Sequence, residues 1–220
     1  PLPAPAEGGS RSETRVRIGV AQDAAFCFYY ADNLDRLARA GADLVFFSPV
    51  ANRLPDVDAL YIGGGYPELH AAALTASRCR EDIRRAADDG MPIYAECGGL
   101  IYLTEQLATA GGDYPMAGVL PATAVMTDRI QALGYVEARV AGGTPILIPG
   151  SAFRGHEFHY SRLDCASDAR FALTLLRGKG IDGGRDGLIA QNAVGQYTHA
   201  YFTEGSAGML VQAALAYRRS

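Results

Sequence analysis

Short apolar segments alternate with helical segments through the first half of the chain, and the connections between them are short. Four apolar runs predict strands: 15–21, 44–47, 58–62 and 92–95. Four segments with helical spacing predict helices: 29–40, 69–76, 78–89 and 98–107. Strands that alternate with helices over short connections form parallel sheets with right-handed crossovers. The pattern therefore predicts an α/β fold built on a parallel sheet.

The second half predicts a different arrangement, because its strands follow one another with only turns between them. The predicted strands are 117–120, 135–140, 153–162 and 171–176. A closing hairpin is predicted for 188–190 with 194–197, and a last helix for 208–217. We therefore expect a mixed or antiparallel extension of the parallel sheet.

Length and composition indicate one large domain. The chain has 220 residues, of which 49% are hydrophobic and 20% charged, and this balance excludes a disordered chain. The net charge of −4 argues against nucleic acid as a partner, because neutralising phosphates requires a basic patch. Residues 1–14 have the composition of a linker. We therefore expect a domain at 15–220 and a missing N-terminal partner domain.

Cysteine spacing and hydropathy indicate in which cellular compartment the protein is expected. The four cysteines are too far apart for zinc-binding pairs, and we expect no metal site. Nothing in their spacing requires disulfides, so the cytoplasm is the predicted location. No apolar run approaches the roughly 20 residues that span a bilayer, and no signal-peptide pattern is present. We expect no membrane partner.

A cysteine lies between a predicted strand and a predicted helix, in the segment Tyr-Ala-Glu-Cys-Gly-Gly-Leu at 94–100. Such a sharp turn crowds the backbone of Cys97, and the small residues Ala95, Gly98 and Gly99 relieve the crowding. The partial positive charge of a helix N-terminus favours a thiolate. The alternative is a buried structural cysteine, which the adjacent charge and glycines disfavour. We predict that Cys97 is a nucleophile.

Three glycines follow the predicted strand at 58–62. Backbone N–H groups of this loop, together with that of Gly98, could converge on the oxyanion of a tetrahedral intermediate. The alternative is a flexible turn. The glycine spacing is not that of a dinucleotide-binding motif, and no Gly-Lys-Ser/Thr follows to make a P-loop. The chain by itself therefore has no recognisable ATP site.

A cysteine nucleophile needs a base, and the candidates are His70, His156, His159 and His199. His156 and His159 are three residues apart on a predicted strand, so they point to opposite faces and do not share a metal. His199 follows a late strand, and strand ends gather at the active edge of such sheets. This favours His199 over His159, although for each histidine alone a structural role is the alternative.

Four segments in this order resemble the class I glutamine amidotransferase domain of cobyrinic acid a,c-diamide synthases, including the hydrogenobyrinic acid enzymes. They are Gly-Gly-Gly-Tyr-Pro-Glu at 63–68, the cysteine turn at 94–100, Gly-His-Glu-Phe-His-Tyr-Ser at 155–161 and the segment around His199. The resemblance covers roughly residues 15 to 218. It implies a flavodoxin-like α/β fold with a mixed, mostly parallel sheet flanked by helices.

The resemblance also implies hydrolysis of glutamine to glutamate and ammonia. Cys97 would attack the side-chain amide and form a γ-glutamyl thioester. His199 would take the thiol proton and pass it to the departing ammonia. Gly64 or Gly65, together with Gly98, would form the oxyanion hole.

The glutamine pocket and the third member of the site are less defined by the resemblance. It implies that His159, Tyr160 and Ser161 line the pocket. Class I amidotransferases commonly place a glutamate two residues after the catalytic histidine, where this chain has Tyr201. A Cys97–His199 dyad and a carboxylate from elsewhere both stay open. We expect low activity of the isolated domain.

As partner, the resemblance implies an N-terminal synthetase domain that uses ATP and Mg²⁺ to amidate the a and c carboxylates of a corrinoid or related tetrapyrrole. The domain described by this sequence would bind no cofactor of its own. One alternative is the same chemistry on nickel sirohydrochlorin. Others are a different cysteine hydrolase of the same fold and a non-catalytic accessory domain. A homodimer is compatible with the sequence.

Overall fold

Most strands are short and buried on at least one face, as the apolar runs in the sequence predict. The computed structural model describes residues 15–219, so the linker predicted at 1–14 lies outside the described residues. The strands are β1 (Val16–Ala21), β2 (Phe26–Phe28), β3 (Ala42–Phe47), β4 (Ala59–Ile62), β5 (Gly64–Gly65), β6 (Ile93–Glu96), β7 (Thr104–Thr109), β8 (Gly112–Pro115), β9 (Leu120–Met126), β10 (Ala132–Val140), β11 (Ala152–His159), β12 (Ser161–Cys165), β13 (Arg170–Arg177), β14 (Arg185–Ala190), β15 (Ala193–Gln196) and β16 (His199–Ala200).

The helices connect the strands of the first half and close the described part of the chain. They are α1 (Ala31–Arg39), α2 (Ala71–Ala76), α3 (Cys79–Asp88), α4 (Gly98–Leu103) and α5 (Glu204–Arg218), with a 3₁₀ helix at Pro67–His70. Across residues 15–219, no helix is long and apolar enough to span a bilayer.

A ten-stranded sheet organises the fold, in the order β16-β11-β10-β13-β14-β15-β6-β4-β1-β3. The pairs β1–β3, β1–β4, β4–β6 and β6–β15 are parallel, which confirms the predicted α/β half. The remaining pairs are antiparallel. The predicted mixed sheet is confirmed, and its antiparallel part extends further than predicted.

The sheet curls, so that its far edge returns to its middle. Strand β15 ends at Gln196, and β16 begins only three residues later, at His199. Three residues span at most about 10 Å. Strand β16 nevertheless pairs with β11, which lies four strands away from β15 in the sheet order. The curl therefore brings β11 alongside the ends of β15 and β6.

The helix predicted at 98–107 is wrong beyond Leu103. Thr104 Oγ1 donates a hydrogen bond to Ile101 O at 2.7 Å, which ends α4. The chain then turns into β7, which pairs with β8 and β9 in a second sheet of order β12-β9-β7-β8. The apolar residues of 98–107 fit both helical and extended spacing, and the second sheet decides between them.

The last helix begins four residues earlier than predicted. Thr203 Oγ1 accepts a hydrogen bond from Ser206 N at 3.2 Å, and Thr203 N donates to Ser206 Oγ at 2.8 Å. This reciprocal pair is a capping box, formed here with serine. The residues of the first turn are not apolar, so apolar spacing did not indicate that the helix begins there.

Two apolar clusters lie on opposite faces of the main sheet. One includes Ile83 and Leu100, on α3 and α4, together with the inner residues of the second sheet. The other includes Leu37 and Leu210, on α1 and α5. The parallel strands between them are almost fully buried. Their carboxyl ends form a rigid edge on which side chains can be held in place.

Candidate active site

Cys97 stands at the turn between β6 and α4 in a strained backbone conformation. Its φ is 47° and its ψ is −100°. Between residues 15 and 219, only Cys97 and Gln191 have positive φ among the non-glycine residues. The turn is held by Cys97 N, which donates to Gln196 O at 2.7 Å, and by Ile101 N, which donates to Cys97 O at 3.0 Å. This is the geometry of a nucleophile elbow.

The two residues after Cys97 must be glycine, because other backbone segments pass close to them. A Cβ on Gly98 would lie 2.9 Å from Gly65 N. A Cβ on Gly99 would collide with Ile62 O, and Gly99 N donates to Gly63 O at 3.0 Å. The elbow is therefore packed directly against the glycine loop.

The Cys97 side chain is a thiol at rest. Burial raises its pKa to about 12, although a hydrogen bond from Gly98 N favours the thiolate. The Sγ atom donates to Phe158 O at 3.7 Å. The sequence predicted that the helix N-terminus favours a thiolate. In the structure, burial outweighs that effect.

We expect iodoacetamide to label Cys97 slowly at pH 7 in the free protein. Only the thiolate reacts, so between pH 7 and pH 9 its labelling rate should rise about tenfold per pH unit. Peptide mass spectrometry measures this rate, with the exposed Cys27 as internal reference. Labelling of Cys97 at pH 7 as fast as that of Cys27 would contradict the buried thiol.

His199 lies in β16, where His156 of β11 is directly opposite. The two imidazole rings stack, with centroids 4.8 Å apart and planes at 10°. Burial, together with smaller contributions from His156 and His159, lowers the pKa of His199 to about 4. The ring is therefore neutral at pH 7 and can accept a proton.

Cys97 and His199 line the same cavity, which has a volume of about 220 Å³. This is below the roughly 300–1,000 Å³ of sites for drug-sized ligands, so the cavity suits a smaller metabolite. Most of its wall is made of aromatic side chains and of polar side chains that lie among them, including Phe28, Tyr29, Tyr30, Tyr66, Glu68, Glu96, His156, Phe158, His159, Tyr160 and Ser161.

The glycine loop packs against both predicted catalytic residues. A Cβ on Gly64 would collide with Cε1 of the His199 ring, so only glycine leaves room for the imidazole. Gly65 lines the cavity, and its nitrogen lies beside Gly98. The structure thus brings together the Gly64, Gly65 and Gly98 predicted for the oxyanion hole.

The three residues predicted to bind glutamine all line the cavity, but they differ in what they offer to a ligand. His159 Nδ1 bonds to Ser161 O at 2.8 Å, and its ring stacks on Tyr197 with centroids 3.6 Å apart. Ser161 Oγ bonds to Tyr197 Oη at 2.8 Å. Tyr160 is half-exposed and packs edge-on against Phe158. Tyr160 is therefore the most accessible of the three.

No carboxylate within residues 15–219 bonds to the His199 ring. Tyr201, at the position of the expected glutamate, is half-exposed and donates to Asp32 Oδ2 at 2.7 Å. Within the same residues, no group of three potential ligands is placed to hold a metal ion. The absence of a metal in the working protein stays a prediction.

Sequence reasoning missed Glu96, although a charged residue at the end of an apolar strand was a signal. Glu96 is buried, and its Oε1 accepts from Tyr94 Oη and from Ala200 N, both at 2.9 Å. Its Oε2 accepts from Tyr61 Oη at 3.0 Å. Burial raises the pKa of Glu96 to about 7. It thus connects β6 to the residue after His199.

Solved structures share this fold. A chain in the structure of PurLQS from Thermotoga maritima has a TM-score of 0.66 at 18% identity, covering 93% of this chain and 99% of that one. A crystal structure of a glutamine amidotransferase has a TM-score of 0.61 at 16% identity, covering 92% and 99%. At these identities the likeness shows the fold alone, which is that of the glutamine amidotransferases.

The chain belongs to the family of CobB/CobQ-like glutamine amidotransferase domains, whose model matches residues 17–207. It is similar to cobyrinate a,c-diamide synthases of Haloarcula marismortui (49% identity, 86% of this chain, 44% of the relative) and Methanosarcina acetivorans (46%, 94%, 45%). It is also similar to that of Leptospira interrogans (42%, 86%, 42%). The chain spans less than half the length of these relatives.

Proposed function

We propose that this chain hydrolyses glutamine and supplies the ammonia for amidating the a and c carboxylates of cobyrinate or hydrogenobyrinate in cobalamin biosynthesis. The observation that carries the proposal is the strained Cys97 turn, which shares one cavity with the neutral His199. Membership of an amidotransferase family and relatives named cobyrinate a,c-diamide synthase support the substrate.

The reaction begins with transfer of the Cys97 thiol proton to His199. Both groups are uncharged at rest, because burial raises the pKa of the thiol and lowers that of the imidazole. The glutamine amide carbon then accepts the sulfur's electron pair, and its carbonyl oxygen becomes an oxyanion. Formation of the nucleophile is thus coupled to the presence of substrate.

The oxyanion is stabilised by backbone N–H groups beside the sulfur. Gly98 N already donates towards Cys97 Sγ, and Gly65 N lies next to Gly98. Such preorganised donors act on charge that develops only during the reaction. Gly64 has a different role in this proposal, because its lack of a side chain leaves space for the His199 ring.

Collapse of the intermediate breaks the C–N bond. The His199 imidazolium gives its proton to the leaving nitrogen, which departs as ammonia and leaves a γ-glutamyl thioester on Cys97. His199 then activates a water molecule, which releases glutamate and restores the thiol. In this proposal Tyr160 borders the bound glutamine, and His159 and Ser161 shape the wall behind it.

The site that binds the ammonia acceptor would lie in the part of the relatives that this chain does not span. There, a synthetase domain would use ATP and Mg²⁺ to convert each carboxylate into an acyl phosphate, which ammonia would attack to form the amide with loss of phosphate. The macrocycle would bind on that domain, so nickel sirohydrochlorin stays open as an alternative acceptor. A non-catalytic accessory role is the other alternative, and the experiment below separates it from the proposal.

The test measures glutamate and ammonia released from glutamine by the purified chain. We expect release in equal amounts and, when hydroxylamine is added, formation of γ-glutamyl hydroxamate from the thioester. Acid quenching should leave a γ-glutamyl group on the peptide that contains Cys97. If no release occurs and a glutamine-analogue electrophile leaves Cys97 unlabelled, the glutaminase proposal fails and an accessory role is favoured.

A further inference from the structure

The segment that carries His199 is held almost entirely by buried side chains. Asp186 Oδ1 accepts from Tyr197 N at 3.0 Å, and its Oδ2 accepts from Thr198 N at 3.1 Å and from Thr198 Oγ1 at 2.7 Å. Gln196 Nε2 donates to Thr198 O at 2.8 Å. These contacts fix the two residues that precede His199.

The residues that follow His199 are held in the same way. Glu96 accepts from Ala200 N at 2.9 Å. Asn33 Nδ2 donates to Ala200 O at 2.8 Å, and its Oδ1 accepts from Phe202 N at 2.9 Å. Asn33, Glu96, Asp186 and Gln196 are all buried. We call these four side chains the His199 cradle.

Two of the cradle residues are carboxylates in a largely apolar interior, where burying a charge is costly unless it is fully hydrogen-bonded. Each one is well supplied with donors. Glu96 accepts from Tyr61, Tyr94 and Ala200, and Asp186 also accepts from Gly187 N at 2.9 Å. No Lys or Arg neutralises either group in the described part of the chain. Their acceptor oxygens therefore face backbone N–H groups on both sides of His199.

Among the residues that the structure describes, none forms a hydrogen bond to the ring of His199, and the ring is held by shape. His156 stacks on one face, and Gly64 leaves only enough space for Cε1. A ring packed in this way follows the position of its own backbone. Any shift of residues 198–200 would therefore move the imidazole relative to Cys97 Sγ.

We infer that Glu96 and Asp186 are positioning residues that orient His199 through its backbone, and so replace the carboxylate that would otherwise bond to its ring. The inference rests on the proposed function, in which His199 is the base. Neither carboxylate touches the reacting atoms of glutamine in this scheme. The expected signature of their loss is a lower kcat with little change in KM.

The variants are Glu96→Ala, Glu96→Gln and Thr198→Val, with Asp58→Asn as matched control. Glutamine at position 96 can still accept from Ala200 N, whereas alanine cannot. Valine at 198 removes only the hydroxyl that donates to Asp186. Asp58 is likewise buried and accepts from Arg17 N at 2.8 Å. It lies at the amino-terminal end of β4, whereas Cys97 follows the carboxyl-terminal end of β6.

Steady-state hydrolysis of glutamine gives the first measurement. Glu96→Ala should lower kcat about 100-fold with KM changed less than about threefold, and Glu96→Gln should recover about tenfold of that loss. Thr198→Val should lower kcat about fivefold. Asp58→Asn should lower the Tm without changing kcat. Folding of each variant is checked by circular dichroism.

The side-chain NMR signals of His199 give the second measurement, which does not depend on hydrolysis. They should shift in Glu96→Gln and Thr198→Val and stay unchanged in Asp58→Asn. If Glu96→Ala fails to fold, Glu96→Gln and Thr198→Val decide whether the inference holds. Unchanged His199 signals together with kcat within twofold of the parent overturn the inference. A parent chain that shows no hydrolysis and no labelling of Cys97 by the glutamine-analogue electrophile overturns the proposed function, while the NMR signals still test the cradle.

Discussion

Replacing Cys97 with serine is expected to lower kcat for glutamine hydrolysis by on the order of 10⁵-fold or more. The change keeps the shape of the elbow but replaces the thiol with a hydroxyl, which is much harder to deprotonate. The pKa of His199 is lowered to about 4, so its imidazole is a weak base that cannot activate a hydroxyl efficiently. Losses of this size are known when the nucleophile of a hydrolase is removed.

The measurement is glutamate release over hours at enzyme concentrations high enough to detect the residual rate. Cys165→Ser is the matched control, because Cys165 is half-buried at the end of β12, outside the cavity. It should keep the full rate. A Cys97→Ser protein with more than a tenth of the parental rate would mean that another group carries out the hydrolysis.

The second large effect concerns His199. His199→Asn should lower kcat/KM about 10³-fold, within the range that general acid–base catalysis contributes. His70→Asn is the control and should have no effect, because His70 lies in the 3₁₀ helix and does not line the cavity. An Asn variant that retains more than a tenth of the activity would remove His199 from the mechanism.

The pH dependence of kcat/KM tests the same residue without a mutation. His199 must be neutral to accept the thiol proton, and burial lowers its pKa to about 4. Between pH 6 and pH 5 the rate should therefore fall by less than about 1.2-fold, whereas an ordinary histidine would lose roughly eightfold. Glu96, with its pKa raised to about 7, is largely protonated throughout this window, and in that form it still has a carbonyl oxygen that can accept from Ala200 N. An eightfold fall would contradict the neutral buried base.

The lowered pKa of His199 also affects stability. Above the ordinary histidine pKa of about 6.5, folded and unfolded states are both neutral at this position. As the pH falls towards about 4, the unfolded state binds the proton first, so His199 lowers the free energy of unfolding in that range. The kinetic measurements should accordingly be made well below the Tm at each pH.

The placement of Cys97 and His199 at one edge of the sheet could be predicted from local patterns, whereas the side chains that hold His199 could not. The cysteine between a strand and two glycines, and the histidine after a late strand, follow from the order of elements in a parallel sheet. The roles of Glu96 and Asp186 depend on pairing between residues about 100 apart and between strands of the antiparallel half. The protonation state of Cys97 also depends on burial, which outweighs the effect of the helix N-terminus and is not visible in the local sequence.

The short link between β15 and β16 has a consequence for how the molecule folds. Glu96 bonds to Ala200 across 104 residues of sequence, and His199 is in place only when β16 has paired with β11. Contacts of such large sequence separation form slowly, because loop closure must precede them. The elbow around Cys97 is local and can form early, whereas the base arrives last. During synthesis and refolding, the protein should therefore gain its native sheet content before its ability to release ammonia.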